Sequence, residues 1–229
     1  MSLGKNLQFL RKLYNKMTQE ELAEKMQVSR QTVSKWELDA VYPEVDKLLE
    51  LCELFSVSLD NLLREDMTAY DEAYSDLRLQ RVESFRYIEY TVISGDPETD
   101  AIERMRSTAK AAGDKTPDIV GWDFPCVSQE QTNVHHMHGY TAAWIIPDGI
   151  TPPKDSEVLT NPACKYAAIT IKNPMVAPFS IIPNAYKTLF AYMGANGCSE
   201  PDEKNLVKCF ERSYFVDGVE YMDVFVAVK

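Results

Sequence analysis

The sequence predicts an α+β protein with an all-α head and a duplicated strand–helix–strand–strand body. Two observations predict this fold class. Apolar residues recur at helical spacing through residues 4–63. From about Arg86 the pattern changes to short alternating β-rich runs separated by helical segments, and the order of these runs occurs twice. We therefore expect a head at 1–63, a connector at 64–84 and a body at 85–229.

The helices of the head are predicted from apolar spacing and from capping residues. Leu7 and Leu10 lie three apart in a first helix with basic residues between them. Thr18 and Glu21 form a T-x-x-E capping box, which marks the start of a second helix. Ser29 is a good N-cap for a third helix, RQTVSKWE. Two further helices, VDKLLELCELF and SLDNLL, are expected to complete the core.

The third helix has two contrasting faces. Val33 and Trp36 are three apart and should point into the core, which leaves the opposite face polar. That polar face is predicted to carry Arg30, Gln31, Ser34 and Lys35. Two short helices joined by a tight turn, the second with a hydrogen-bonding outer face, are typical of a helix-turn-helix.

Residues 4–63 resemble the Xre/Cro–C1 repressor-type helix-turn-helix family, whose fold is lambda-repressor-like. The motifs that carry the resemblance are TQEELA at 18–23, VS at 28–29, VSKWE at 33–37, and Pro43. Asp39 departs from the family, which usually has Gly at this helix exit. Asp tolerates the left-handed conformation better than most residues, so we expect a small energetic cost and no change of fold.

The resemblance implies that the third helix enters the major groove of a double-stranded DNA operator. Gln31 would read adenine and Arg30 guanine through paired hydrogen bonds, while Gln19 and Lys35 would contact phosphates. The complete set of expected DNA contacts is Gln19, Ser29, Arg30, Gln31, Thr32, Ser34 and Lys35. The alternative is that these side chains are merely solvated.

Charge is distributed unevenly along the chain. The net charge is −11. Residues 1–40 carry seven Lys and Arg against five Asp and Glu, whereas residues 41–229 carry 17 against 30. A weakly basic head on an acidic body is compatible with nucleic-acid binding, because local charge governs that contact.

The compartment is predicted from what the sequence lacks. It has no run of about 18 apolar residues and no signal-peptide pattern, so we expect a cytoplasmic protein with no membrane partner. The five cysteines are odd in number and none form C-x-x-C spacing. Free thiols are the default in a reducing compartment, with redox sensing as the alternative.

The connector at 64–84 has no Pro or Gly and is predicted to be helical. Met67, Tyr70, Tyr74 and Leu77 recur at spacings of three and four, which makes one apolar stripe. Repressors of this type bind two half-sites as dimers, so the stripe is a candidate homodimer contact. It could equally pack onto its own domain, and the sequence does not decide between them.

The body reads as one structural plan used twice. The first copy comprises the strand FRYIEYTVIS, a helix ending at Gly113, and the strands DIVGWDFPCV and YTAAWIIP. After a connector rich in Pro and Asp, the second comprises KYAAITIKN, a helix ending at Gly194 or Gly197, KCFERSYF and EYMDVFVAVK. Gly113 and Gly197 are 84 residues apart, and Tyr140 and Tyr221 are 81 apart.

The body resembles the effector-binding domain of the GyrI-like family, also found in drug-sensing regulators. The matching stretches are YAAITIK, IPNAYKTLFAYMGANG and FERSY. The resemblance implies a ligand groove with a glutamate at its floor, and Glu211 matches that position. A carboxylate in an aromatic-lined pocket suits a hydrophobic or cationic ligand. The candidate walls are Trp122, Phe124, Tyr140, Trp144, Phe179, Tyr186 and Phe190, any of which could instead be core.

We therefore predict a transcriptional regulator whose body senses a small-molecule effector, without a cofactor. One alternative is a hydrolase with Glu211 as general base, although the chain has no G-x-S-x-G, P-loop or H-E-x-x-H motif. Another is a purely oligomerising body. His135, His136 and His138 could hold a metal only with a ligand from elsewhere, so we expect no metal site there.

Overall fold

The structure, a computed structural model, describes residues 2–13, 17–55, 57–64, 66–68 and 73–229. The chain divides into two compact units. The first comprises Met1–Ser75, Met175–Ser199 and Lys229, and the second comprises Asp76–Pro174 and Glu200–Val228. Residues Met175–Ser199, late in the chain, are thus grouped with the N-terminal residues.

The head in the first unit consists of five helices: α1 (Leu3–Leu13), α2 (Gln19–Lys25), α3 (Arg30–Glu37), α4 (Val45–Phe55) and α5 (Leu59–Arg64). Both predicted caps are confirmed. Thr18 Oγ1 accepts from Glu21 N at 3.2 Å, and the Glu21 carboxylate accepts from Thr18 N at 2.6 Å. Ser29 Oγ accepts from Thr32 N at 3.1 Å and starts α3.

One apolar core holds the five helices together. It includes the residues that the spacing predicted to point inward, Leu7, Leu10, Val33 and Trp36, all at most 4% exposed. Leu51, Phe55 and Leu62 of α4 and α5 close the same core. Burying these side chains is the main favourable term for the head, at about 1.5–3 kcal/mol for each large aliphatic side chain.

The helix exit at Asp39 adopts the left-handed conformation, with φ at +53°. This confirms the expectation that Asp could replace the usual Gly there. Its carboxylate also accepts hydrogen bonds from Gly4 N at 2.8 Å and from the Ser2 hydroxyl. Asp39 thus caps the N-terminus of α1, which offsets the cost of its backbone conformation.

The predicted helical connector is corrected by the structure. Residues 74–82 form a strand, β1 (Tyr74–Val82), which is hydrogen-bonded to a strand of the second repeat. The edge of the sheet provides backbone hydrogen-bond partners for residues 74–82, and this long-range pairing overrides the local helical pattern. Tyr70 lies outside the described residues, and Met67 packs against the core of the head.

The predicted duplication is confirmed by the sheet. The first repeat is β2 (Phe85–Ser94), α6 (Pro97–Ala111), β3 (Asp118–Asp123) and β4 (His138–Ile145). The second repeat is β6 (Cys164–Lys172), α8 (Pro178–Ala195), β7 (Cys209–Val216) and β8 (Val219–Val228). The strand order is β1-β6-β8-β7-β3-β4-β2-β5, so the two repeats are arranged symmetrically about the β7–β3 junction.

Two outer strands were not predicted. β1 flanks the second repeat, and β5 (Leu159–Asn161) flanks the first repeat inside the stretch expected to be a loop. α7 (Gln129–Asn133) is a short helix before β4. Three residues are too few for an alternating pattern to predict β5 from the sequence. Its pairing with β2 in the folded sheet is what identifies it as a strand.

Side chains of the first repeat alternate between two faces of the sheet. Tyr140, Ala142 and Trp144 of β4 form a cluster with Ala101 and Met105 of α6, which defines the helix face. The opposite face carries a second cluster, which includes Tyr87, Val120, Ala143, Tyr166, Phe210 and Phe225. The two faces therefore bury separate sets of residues.

The helix of the second repeat belongs to the first unit. α8 contacts α4, and the Tyr74 hydroxyl donates to the Ile181 carbonyl at 2.7 Å. The chain crosses from one unit to the other at Pro174–Met175 and again at Ser199–Glu200. Among the described residues, no helix combines the length and the apolar character that a membrane crossing requires.

Candidate DNA interface and candidate ligand site

The outer face of α3 presents a polar surface. Arg30, Gln31, Ser34 and Lys35 line a shallow depression of about 280 Å³, as the spacing predicted. Ser29 and Thr32 stand at the start of the helix, where their hydroxyls are 2.9 Å apart. The side chain of Arg30 is 62% exposed and lies 3.6 Å from the Glu20 carboxylate, an ion pair weak enough to exchange for a phosphate or a base.

Gln19 is held by another side chain of the head. Its Nε2 donates to Glu37 Oε2 at 2.8 Å. The predicted phosphate contact of Gln19 remains a prediction, and Glu37 fixes the position of its amide. A side chain held in this way by a neighbouring residue is already positioned for contact with a ligand.

Glu37 is the residue that sequence reasoning missed in the head. Its side chain is 2% exposed and receives Arg11 Nε at 2.5 Å and Arg11 Nη2 at 3.1 Å. Arg11 also donates to the Met17 carbonyl at 2.7 Å. The buried carboxylate therefore ties α1, the start of α2 and the end of α3 together. The only sequence signal was its place in the VSKWE motif.

In the body, Glu211 lies at the junction of the two repeats. It pairs with Gly121, where β7 meets β3 in an antiparallel register. The Tyr140 ring lies over Gly121, because a Cβ there would overlap the phenol. Only glycine therefore leaves room for this aromatic ring. The arrangement brings Tyr140 close enough to Glu211 for the carboxylate to raise the pKa of the Tyr140 hydroxyl.

The charges of two more carboxylates also act on Tyr140, and we call Glu98, Asp123, Glu211 and Tyr140 the carboxylate cluster. Burial raises the pKa of Tyr140 well above its ordinary value, and the charges of Glu211, Glu98 and Asp123 raise it further. The hydroxyl therefore stays protonated. Partial burial also raises the pKa of Glu98, with added repulsion from Asp123, Asp96 and Glu220.

The pKa of Asp123 is shifted in the same direction, with burial as its cause. Partial burial raises the pKa of its carboxyl group, while the neighbouring His138 opposes the shift. Carboxylates that repel one another and are partly desolvated stabilise a cation more than an anion or a neutral ligand. Sequence reasoning missed Glu98 and Asp123, because they come from α6 and β3 and meet Glu211 only in the folded sheet.

Three of the predicted aromatic walls lie elsewhere. Trp144 is fully buried beneath α6, and its indole N–H donates to Asp114 Oδ2 at 2.9 Å. Trp122 packs into the cluster on the opposite face of the sheet, against Tyr87. The Phe124 ring packs against Gly139. Strand alternation puts Trp122 on the face opposite Glu211, whereas Trp144 shares the helix face and is covered there by α6.

The remaining predicted walls are on α8 in the first unit. Phe179 is 95% exposed, Phe190 is 50% exposed and Tyr186 is half-buried. Their role at a ligand remains a prediction. Tyr140 is thus the one aromatic residue of the predicted set that contacts Glu211 within the second unit.

The histidines are separated by the start of β4. His136 has a left-handed backbone, with φ at +51°, and His138 is the first residue of the strand. Among the residues that the structure describes, no three His, Cys, Asp or Glu side chains are grouped as metal ligands would be.

Both parts of the chain are similar to known proteins. Residues 7–62 match a helix-turn-helix family model, and residues 87–228 match the model of the GyrI-like small molecule binding domain. The second match covers more than half of the chain. A third comparison, with the EcmrR–DNA complex, covers 91% of this chain and 97% of that one at 10% identity and a TM-score of 0.47.

Two curated relatives are similar to the N-terminal part. The HTH-type transcriptional activator BcrR of Enterococcus faecalis is 36% identical over 88 residues, which are 38% of this chain and 43% of BcrR. The HTH-type transcriptional regulator ImmR of Bacillus subtilis is 42% identical over 66 residues, which are 29% of this chain and 51% of ImmR. The chain thus spans about half the length of the curated relatives it matches.

Proposed function

The chain belongs to the GyrI-like small-molecule-binding family and carries a helix-turn-helix head, and we propose that it is a ligand-responsive transcriptional regulator. The observation that carries the proposal is the pairing of two surfaces in one chain. One is the polar face of α3, and the other is the carboxylate cluster around Glu211. The proposed role of the body is to bind an effector rather than to catalyse a reaction or only to oligomerise.

The head supports binding to a double-stranded DNA operator. Arg30, Gln31, Ser34 and Lys35 share one exposed depression on α3. Side chains on one face of a helix that fits the major groove can read base edges and contact phosphates. The similarity to HTH-type regulators agrees with this role. We propose that two copies of the chain bind two half-sites as a homodimer in the cytoplasm.

The body supports binding of a hydrophobic cation. The charges of Glu98, Asp123 and Glu211 all act on Tyr140, which contributes an aromatic ring. A delocalised cation would relieve the repulsion among the carboxylates and lie against the ring face. We propose Glu211 as the central contact of this cation.

Coupling between ligand and DNA would pass along the chain. α8 contacts α4 of the head, while β6 and β7, on either side of α8 in sequence, belong to the sheet. A ligand can shift this protein only if it binds two conformations with different affinity. We propose that ligand binding at Glu211 changes the affinity of the head for DNA in this way.

The experiment uses the full chain and tetraphenylphosphonium as a bulky cationic probe. An operator is first selected from random DNA duplexes, and its affinity is then measured with and without the probe. We expect the probe to bind the wild type and to change operator affinity by about 5-fold or more, as is typical of allosteric coupling.

Glu211→Gln should weaken probe binding while operator binding without the probe stays unchanged. The matched control is Glu103→Gln, which removes one exposed carboxylate of α6. Equal operator affinity with and without bound probe would contradict the coupling. Failure to select any operator would contradict the regulatory role. Sedimentation of the complex with DNA tests the homodimer.

A further inference from the structure

A second cavity lies on the face of the sheet opposite the carboxylate cluster. We propose that it binds a small aromatic carboxylate. We call it the Trp122 cavity, and its volume is about 580 Å³. Its lining includes Tyr87, Trp122, Leu159, Leu206, Lys204 and Lys208. This volume falls in the range of about 300–1,000 Å³ that small-molecule sites occupy.

The Trp122 cavity is distinct from the carboxylate cluster because of strand alternation. In β3, Gly121 and Asp123 point to the helix face, where the ring of Tyr140 lies. Trp122, between them in sequence, points the other way and packs with Tyr87. A ligand in the cavity would therefore be separated from Glu211 by the thickness of the sheet.

One wall of the cavity is the segment before β7, and its backbone is fixed by buried polar groups. Asn161, which is fully buried, accepts from Val207 N at 2.8 Å. The Tyr166 hydroxyl donates to the Val207 carbonyl at 2.8 Å. The Lys208 carbonyl accepts from Ala227 N at 2.8 Å. Because these bonds hold the wall, a ligand would not have to order it on binding.

The opposite wall is aromatic. Tyr87 and Trp122 meet edge to face, with ring centroids 6.4 Å apart and an interplanar angle of 80°. Leu159 and Leu206 add aliphatic surface. The indole N–H of Trp122 has no hydrogen bond to any residue in the described part of the chain. The cavity thus offers a surface for a planar ring.

The charge of the cavity is the reverse of that of the body. Lys204 and Lys208 line it, and none of its described lining residues is acidic. Lys208 lies 3.9 Å from Glu200, and both of those side chains are more than half exposed, so this ion pair is weak. Two ammonium groups beside an aromatic wall select a ligand with an aromatic ring and a negative charge. A carboxylate on a planar ring meets both requirements.

The test is calorimetric titration of the full chain with 2-naphthoate, with neutral 2-naphthamide as the matched ligand. We expect 2-naphthoate to bind with one site per chain, and 2-naphthamide to bind about tenfold more weakly or worse, because it lacks the charge. Absence of 2-naphthoate binding to the wild type would overturn the proposal. Equal affinity for the two ligands would also overturn it.

Variants locate the site. Lys204→Gln with Lys208→Gln should weaken 2-naphthoate binding about tenfold or more. The control variant, Lys115→Gln with Lys172→Gln, removes the same charge at exposed positions of the same unit that do not line the cavity. It should change the affinity less than about twofold, since exposed charges at a distance are screened. A loss of equal size in both variants would show a general charge effect and sink the assignment.

Two further variants separate this site from the proposed effector site. Glu211→Gln should leave 2-naphthoate binding unchanged, because its side chain lies on the other face. Trp122→Leu should weaken it by removing the aromatic wall, with folding checked by circular dichroism. If Glu211→Gln abolished binding and Lys204→Gln with Lys208→Gln did not, the anion would bind on the helix face and the proposal would be wrong.

Discussion

Inside the head, the guanidinium of Arg11 donates two hydrogen bonds to the carboxylate of Glu37, at 2.5 and 3.1 Å. The side chains are 12% and 2% exposed, so neither charge is well solvated. The same carboxylate receives the amide of Gln19 at 2.8 Å. The expected reader of a DNA phosphate is thus oriented by a buried ion pair rather than by solvent.

Removing one partner of this pair should destabilise the head strongly. Glu37→Met leaves the Arg11 charge buried without its partner, and we expect a loss of about 3–5 kcal/mol in the free energy of unfolding. The double variant Arg11→Met with Glu37→Met should recover most of it, because no uncompensated charge remains. Chemical denaturation followed by circular dichroism gives the double-mutant cycle. Additive single effects would show that the pair is not coupled.

The reading face of α3 should be separable from the stability of the fold. Arg30→Ala with Gln31→Ala removes two exposed side chains and should abolish preference for the selected operator while the melting temperature stays unchanged. Gln8→Ala with Lys12→Ala, also a glutamine and a basic residue, changes the exposed face of α1 and serves as control. Retained sequence preference in a mobility-shift assay would contradict the assignment.

Asp39 is expected to contribute through its side chain and not only through its backbone. Asp39→Ala loses the cap on α1 and keeps the strained φ, so it should cost about 1–2 kcal/mol of stability. Asp39→Gly loses the cap but relieves the strain, and it should cost less. Thermal unfolding of both variants measures the difference. If Asp39→Ala were as stable as the wild type, the cap on α1 would not explain the residue.

Trp144 should affect the stability of the body and not ligand affinity. Trp144→Phe leaves the buried Asp114 carboxylate without its indole donor and should cost about 1–3 kcal/mol. Tetraphenylphosphonium affinity of the folded protein should stay within about twofold of the wild type, since the ring packs under α6. Denaturation and calorimetry measure the two effects. A large loss of affinity at unchanged stability would indicate that Trp144 belongs to the ligand site.

The carboxylate cluster should make cation binding depend on pH. The folded-state pKa values of Glu98 and Asp123 lie above their ordinary values of 4.5 and 3.8. The folded body therefore binds more protons than the unfolded chain between the two sets of values. The stability that these two groups contribute is fully present below the ordinary values and is lost as pH rises through the raised ones.

Affinity for tetraphenylphosphonium should rise over the same window, because ionised carboxylates attract the cation. Glu98→Gln with Asp123→Asn should flatten the profile, and calorimetry at stepped pH measures it. Exposed carboxylates at Glu103 and Asp148 provide the control variant, Glu103→Gln with Asp148→Asn, which should keep the wild-type slope. An unchanged slope in the first variant would remove these two carboxylates from the site.

Local patterns were sufficient for much of this protein. Capping at Thr18 and Ser29, the left-handed exit at Asp39 and the duplicated order of strands and helices all follow from neighbouring residues, and the structure has them. The polar face of α3 was predictable for the same reason, because a helix places residues three and four apart on one side. Glu211 came from a resemblance, and the fold puts it at the junction of the repeats.

What the tertiary structure decided involves residues distant in sequence. The apparent helix at 74–82 is a strand because a sheet edge offers it backbone partners. Trp122 faces away from Glu211 because strand register fixes which face each side chain takes, and Trp144 is buried because α6 covers it. Glu98 and Asp123 join Glu211 because three elements converge, and each carboxylate is ordinary in its own segment. Sequence alone determined the local conformations, whereas packing and register determined which charges and rings share a site, since those depend on long-range contacts.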